Sequence, residues 1–178
     1  MTKRNRESNK KLELLKCLLR DPTRSVSKTA ETIGTYQRMV WQKKKELEDD
    51  HVIWGYTTVI DESKLNHVLY EALFKIKPLS KAFADLIIER LLSEAPKKEE
   101  IRLIDVFYTT GDYACIIRFS APDNATAKMY YETLRIVYKD HFLEEPLLLE
   151  VNFPLVKMGK LNPELKKIYD LVPKVIAE

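Results

Sequence analysis

The sequence predicts an α+β chain in two parts, three short helices followed by a βαββαβ unit. Three observations predict it. Apolar residues recur at helical spacing through residues 10–50, β-rich runs alternate with helical stripes from residue 67 onward, and basic charge gathers at the N-terminal end. The four glycines, Gly34, Gly55, Gly111 and Gly159, fall at the junctions between these segments.

Charge divides the chain as the patterning does. Residues 1–60 carry 13 Lys/Arg against 8 Asp/Glu, residues 61–178 carry 17 against 19, and the net charges of +5 and −2 give the whole chain's +3. Within residues 1–45 the excess is 13 against 4. A basic part joined to a near-neutral part points to a polyanion that meets the first part alone. Cys17 and Cys115 lie far apart and form no ligand-spaced pair, which argues against a disulfide framework and a zinc site. The charged N-terminus has no apolar h-region, and no run approaches the ~18 apolar residues of a membrane span. A cytoplasmic protein with free thiols, no membrane association and no cofactor is the expectation.

The first helix is read over Lys10–Arg20, where Leu12, Leu15 and Leu19 form a stripe widened by Leu14 and Leu18. Asp21-Pro22 ends it, because the residue before a proline is pushed out of the α region. Ser25 is placed to cap a second, short helix over Val26–Ile33, with Val26, Ala30 and Ile33 inward. Gly34 supplies a turn, and Thr35 is placed to cap a third helix from Tyr36 to about Asp50. Three helices with so tight a turn between the last two fit a helix-turn-helix.

On the third helix Val40 and Leu47 face inward, and Lys44, four residues after Val40, falls on the same stripe and is expected to snorkel. Tyr36, Gln37, Arg38, Trp41, Gln42, Lys43 and Lys45 occupy the rest. Arg and Gln near the start of such a helix suit bidentate contacts to guanine and adenine edges in a major groove. Its lysines suit phosphates, which give affinity without sequence information. A surface helix rich in Gln, Arg and Lys is often no more than soluble; its place after a basic helix and a glycine turn favours the DNA reading.

Residues 51–66 are read as a linker strand: Val52-Ile53-Trp54 and Tyr56–Ile60 are β-branched and aromatic, and pairing with a second chain would satisfy their backbone. The second part follows as strand His67–Lys77, helix Lys81–Ala95 closed by Pro96-Lys97-Lys98, strands Arg102–Thr109 and Tyr113–Ser120, a helix from Pro122-Asp123 to about Phe142, and strand Leu147–Val156. That order is the ferredoxin-like split βαβ arrangement, which by itself carries no function. Asn162-Pro163-Glu164 then starts an amphipathic helical tail. The expected domains are 1–50 (helix-turn-helix), 51–66 (linker strand), 67–160 (ferredoxin-like) and 161–178 (tail).

Over roughly residues 10–160 the chain resembles the Lrp/AsnC family, the feast/famine regulators. The likeness runs through Asp21, Arg24, Ser25, Ala30, Ile33, Gly34, Thr35 and Val40, then Leu47-Glu48, Val52-Ile53, Gly55-Tyr56 and Thr109-Thr110-Gly111-Asp112-Tyr113. Family members usually carry Ser at Thr35, Arg at Lys43 and an aliphatic residue at Lys44. A Gly is common where His51 or Asn66 falls, and an acid is frequent at Ala114. The resemblance implies a sequence-specific transcription regulator whose helix-turn-helix reads double-stranded DNA and whose α+β (RAM-type) domain forms dimers, often assembled into octamers. It adds Arg24 and Thr35 to the DNA-contacting candidates. It also implies amino-acid binding between dimers at the loop matching Gly111-Asp112-Tyr113. There Gly111 would admit a close approach to a carboxylate, Asp112 would pair with an α-ammonium and Tyr113 would wall the pocket.

Two other readings make different demands. A chromatin-like architectural protein would coat DNA without an effector. An enzyme needs a cluster, yet His51, His67 and His141 are scattered, no catalytic or metal constellation has ligand spacing, and Asp49-Asp50 and Glu144-Glu145 suit solvated surfaces. Siroheme-decarboxylating relatives of this fold pair carry an Arg-Arg run where Trp54-Gly55 stands here.

Overall fold

The computed structural model describes residues 3–93 and 100–173 and divides into two compact units, 1–58 and 59–178. In the first unit α1 spans Lys3–Arg20, α2 Val26–Thr32 and α3 Gln37–Asp49. Ser25 caps α2 as its spacing predicts, its hydroxyl accepting from the Lys28 N–H at 3.3 Å. Thr29 is buried beneath it, and its hydroxyl donates to the Ser25 carbonyl at 3.0 Å, so the buried oxygen is satisfied. After α2 the Gly34 and Thr35 N–H groups return to the Glu31 and Ala30 carbonyls at 3.3 and 2.9 Å. This is a Schellman closure, which needs the left-handed φ of 60° at Gly34.

Two expectations for α3 are corrected. Its N-cap is Tyr36, which makes no side-chain cap bond; Thr35 is instead held in the closure of α2. The inward stripe is Val40, Lys43 and Leu47 rather than Val40, Lys44 and Leu47. Around Leu14, which is fully buried, the core gathers Ala30, Ile33, Val40 and Leu47, with Ile53 folding back from beyond the helix. Residues 51–66 do not form the expected strand within the single chain: residues 53–61 carry no assigned element, and Glu62–Leu65 turn as a 3-10 helix. A strand is held by a ladder, and that ladder was expected on a second copy.

In the second unit β1 spans Val68–Phe74, α4 Lys81–Ser93, β2 Arg102–Tyr108, β3 Cys115–Ala121, α5 Asn124–Tyr138 and β4 Leu147–Val151. The strands pair antiparallel in the order β2-β3-β1-β4, the ferredoxin-like topology. Period two divides the sheet's faces. On one face Tyr70, Ala72 and Phe74 stand opposite Phe119, Ile117 and Cys115 and build the core with α5 and with Phe83 of α4. Asp123 caps α5 by accepting from the Thr126 N–H at 2.7 Å.

The other face carries Leu69, Leu73, Ile116, Leu147 and Leu149, and Phe107 joins it after a register shift between Leu103 and Asp105. Phe107, Leu147 and Leu149 are each about 45% exposed there. At its centre Arg118 bonds Glu71 at 2.6 Å and Asp105 at 3.1 Å.

The chain's end departs from expectation. β4 stops at Val151, and Val156–Lys157 (β5) instead pairs with Lys160–Leu161 (β6) across Met158-Gly159, both at positive φ as a tight hairpin requires. The tail is a 3-10 helix over Leu165–Leu171, with Asn162 accepting from the Glu164 N–H at 2.8 Å. α5 ends at Tyr138, and residues 139–141 continue as a 3-10 turn. The expected helix end at Glu94-Ala95, the Pro96-Lys97-Lys98 stop and residues 174–178 lie outside the described residues. No helix among the described residues is long and apolar enough to cross a membrane.

The last turn of α3 holds Glu46, Glu48 and Asp49, acids at the negative end of the helix dipole. Lys11 of α1 offsets this, 3.0 Å from Glu46 and 3.6 Å from Asp50. Its hydrogen bond holds the Glu46 carboxyl below the usual glutamate value. A carboxylate lowered in the folded state stabilises it above the unfolded value and loses that contribution as pH falls through the folded value. Lys11→Ala is therefore expected to raise the Glu46 titration midpoint followed by NMR and to reduce stability at neutral pH more than in acid. An unmoved midpoint would remove this link from the account.

Candidate nucleic-acid interface

Burial of Val40, Lys43 and Leu47 turns the opposite side of α3 to solvent. Gln37, Arg38, Trp41, Gln42 and Lys45 are all exposed and recur as i, i+1, i+4, i+5 and i+8, one continuous stripe. Tyr36 leads into it, and Tyr36 and Trp41 are 82% and 65% exposed, far more than aromatic side chains in a monomer's own core. The stripe therefore offers a guanidinium and two amides with hydrogen-bonding edges, two aromatic faces and one ammonium. The Gln42 amide donates to Glu46 at 3.2 Å, which draws it toward the helix's acidic end.

Lys43 does not belong to this surface. It is only 4% exposed and sits on the core side with Val40 and Leu47, so its placement among phosphate-contacting residues is corrected. Residues 43 and 44 straddle the centre of the inward stripe, and three- and four-residue spacings from Val40 are both helical. Lys44 lies on the flank instead, 4.6 Å from the centre of the Tyr56 ring and 3.9 Å from Glu48. Arg24 is exposed just ahead of the Ser25 cap, and Thr35 is half-buried in the turn before α3. One contributor escaped sequence reading. Lys10 donates to the Gly34 carbonyl at 3.1 Å, tying α1 to the turn that aims α3. No local pattern reveals a contact spanning 24 residues.

The second candidate group lies between β2 and β3. The Thr109 N–H donates to the Ala114 carbonyl at 2.9 Å, closing a loop in which Gly111 has φ 139° with open space where a side chain would stand. Asp112 is exposed. Tyr113 is half-buried and precedes β3, which begins at Cys115 rather than at the expected Tyr113. Lys75 lies 5.5 Å from the Tyr113 ring centre and bonds Glu144 at 2.7 Å, so the loop has a cation and two carboxylates around it. The Glu144 bond, with smaller help from Tyr113 and Asp112, raises the Lys75 ammonium above its usual value.

No protein-family model and no curated protein matches the chain. Solved structures do. The leucine response regulatory protein LrpA of Mycobacterium tuberculosis superposes with a TM-score of 0.66 at 16% identity, covering 86% of this chain and 98% of its own. An AsnC family transcriptional regulator from Agrobacterium tumefaciens gives 0.63 at 18% identity over 91% and 97%. A transcriptional regulator of Neisseria meningitidis, solved as a complex with L-Met, gives 0.61 at 14% identity over 87% and 96%. These alignments span nearly the whole of each relative, helical part and sheet part alike. At such identities the likeness is one of architecture, and the chain has the fold of the AsnC/Lrp transcriptional regulators.

Proposed function

We propose that this protein is a sequence-specific DNA-binding transcription regulator of the Lrp/AsnC type, acting as a homodimer or a larger assembly and responding to an amino acid. The observation that carries the reading is the exposed stripe of α3. Arg38 and Gln37, near the start of the helix, supply the bidentate donors that distinguish guanine and adenine edges in the major groove. Trp41 and Tyr36 supply apolar surface for a thymine methyl or a sugar. Lys45, farther along, and Arg24, ahead of α2, suit phosphates, and the basic excess of residues 1–45 gives the long-range attraction.

Dimerisation is supported by the sheet face that carries no helix. Its half-exposed Phe107, Leu147 and Leu149 surround the Glu71–Arg118–Asp105 cluster, and a second copy laid against the same face would cover both. The effector reading rests on the 109–114 loop, where Gly111 leaves open space beside the backbone for a carboxylate to approach and the exposed Asp112 would pair with an ammonium. The L-Met complex of the Neisseria protein supports an amino acid as the class to test.

Binding to operator and random duplexes separates sequence reading from coating. Arg38→Ala or Gln37→Ala is expected to cost about 1–3 kcal/mol on the operator and little on random DNA. Equal losses on both would assign them to phosphates, and equal wild-type affinity for both would make the protein architectural. Lys45→Ala is expected to weaken binding everywhere and to reduce the salt slope by about one, whereas Lys43→Met leaves the slope unchanged.

Leu149→Arg, which sets a charge on the open sheet face, is expected to sediment as a monomer at micromolar concentration. A dimer of unchanged stability would move the interface elsewhere. For the effector, the twenty amino acids are screened by thermal shift, since a ligand at 100 times its Kd stabilises by about 2.7 kcal/mol. Asp112→Ala is expected to abolish the response of whichever one binds; no shift and no change in DNA affinity would end the amino-acid reading.

A further inference from the structure

α1 is longer than its core requires. It begins at Lys3, whereas its fully buried residue is Leu14 and its apolar stripe opens only at Leu12. From Lys3 to Lys11 the sequence holds five cations, one acid and no apolar residue. Helices in proteins draw most of their stability from packing an apolar face, and these turns have none to pack. The hydrophobic core therefore gives no account of the first two turns of α1.

Their charge points to a partner. The N-terminal end of a helix carries partial positive charge and favours acids. The first turn of α1 contains no acid, and its opening residues include Lys3, Arg4 and Arg6, with Glu7 following. Cations gathered at the positive end of a helix are unfavourable there, and an external anion relieves them.

The position of these turns selects the anion. Lys10 donates to the Gly34 carbonyl at 3.1 Å, so the extension leaves the helical unit beside the turn that precedes α3. Gln37 and Arg38, the residues read above as facing base edges, follow Gly34 by three and four positions. Residues 3–9 continue for about 10 Å past the tie at Lys10, at a rise of about 1.5 Å per residue. That length is comparable with the rise of about three phosphates along one DNA strand.

We propose that residues 3–9 of α1 form a second DNA contact, in which Lys3, Arg4 and Arg6 hold backbone phosphates beside the groove that α3 enters. The inference rests on the DNA reading of α3 and deepens it. Phosphate contacts carry no base information, so this one adds affinity on every sequence and lengthens the footprint.

Salt titrations of the full-length protein on operator and random duplexes test it. The triple variant Lys3→Gln, Arg4→Gln, Arg6→Gln removes three charges and keeps good helix formers. Its salt slope is expected to fall by about two to three on both duplexes, with the ratio of operator to random affinity unchanged. Lys128→Gln, Lys139→Gln, Lys166→Gln removes the same charge from exposed positions of the second unit and is expected to leave the slope as it was. Duplex length supplies a second readout. Base pairs added beyond those α3 covers are expected to strengthen wild-type binding and to do little for the Lys3/Arg4/Arg6 variant. A slope and a flank dependence that this variant leaves unchanged, or equal losses in the two triple variants, would overturn the proposal. If Arg38→Ala still loses operator binding selectively in that case, the α3 reading stands and only the second contact falls. A wild-type protein that binds no duplex overturns both.

Discussion

The packing of one face of α3 against Leu14 of α1 and Ala30 and Ile33 of α2 is the constraint on which the rest of the DNA reading depends. A helix has one circumference, so burial of Val40, Lys43 and Leu47 decides which side chains are left for a partner. Leu14 is completely buried at the centre of this contact, where large-to-small changes cost about 2–5 kcal/mol. Such a change would act on the aim of α3 as well as on stability. The Schellman closure at Gly34 and the Lys10 bond to its carbonyl fix the angle at which α3 leaves α2.

The second unit follows a different economy. Its sheet has one side built into a core and one side left partly apolar with a charged centre. Arg118 is shared between two carboxylates, a net negative cluster among leucines. Laid against a copy of itself, that face buries apolar area while the charge cluster penalises a misregistered partner. On the core side Phe83 is the buried side chain of α4, while Ile88, Leu91 and Leu92 of the same helix are exposed. Near the N-terminus of the unit, Glu62 is buried between Arg102 and Lys157, and Lys157 also reaches the Ile60 carbonyl at 3.0 Å, so the entry to the sheet is pinned from two strands.

Much of this was legible in the residues. Ser25 before Val26 and Asp123 before a helical run announced caps because a short side-chain oxygen at that place satisfies an otherwise unpaired N–H. Four strands and two helices came from period and punctuation. His51 and Asn66 fall where relatives of the resembled family often carry Gly, and both adopt positive φ, 54° and 56°. Asn tolerates that conformation better than most residues, and His51 closes α3 in it.

What stayed hidden required tertiary information. The choice between Lys43 and Lys44 turns on where α1 and α2 press, which periodicity within α3 does not contain. The last strand's apolar run continued past Val151 in sequence, yet the ladder with β1 ends there and the chain turns into a separate hairpin. Asn162-Pro163-Glu164 opened a helical turn as its residues suggest, but the turn tightened to 3-10.

Contact between the exposed stripe of α3 and DNA is read out at Trp41, 65% exposed on that stripe. The chain has two tryptophans, and Trp54→Phe leaves Trp41 as the single reporter. Acrylamide quenching of its fluorescence is measured with and without operator duplex, at a salt concentration where binding is confirmed by anisotropy. Free Trp41 is open to quencher, and the account expects marked protection on operator DNA, reversed when added salt releases the complex. Quenching that is unchanged while the protein is fully bound would place the DNA on another surface and contradict the account.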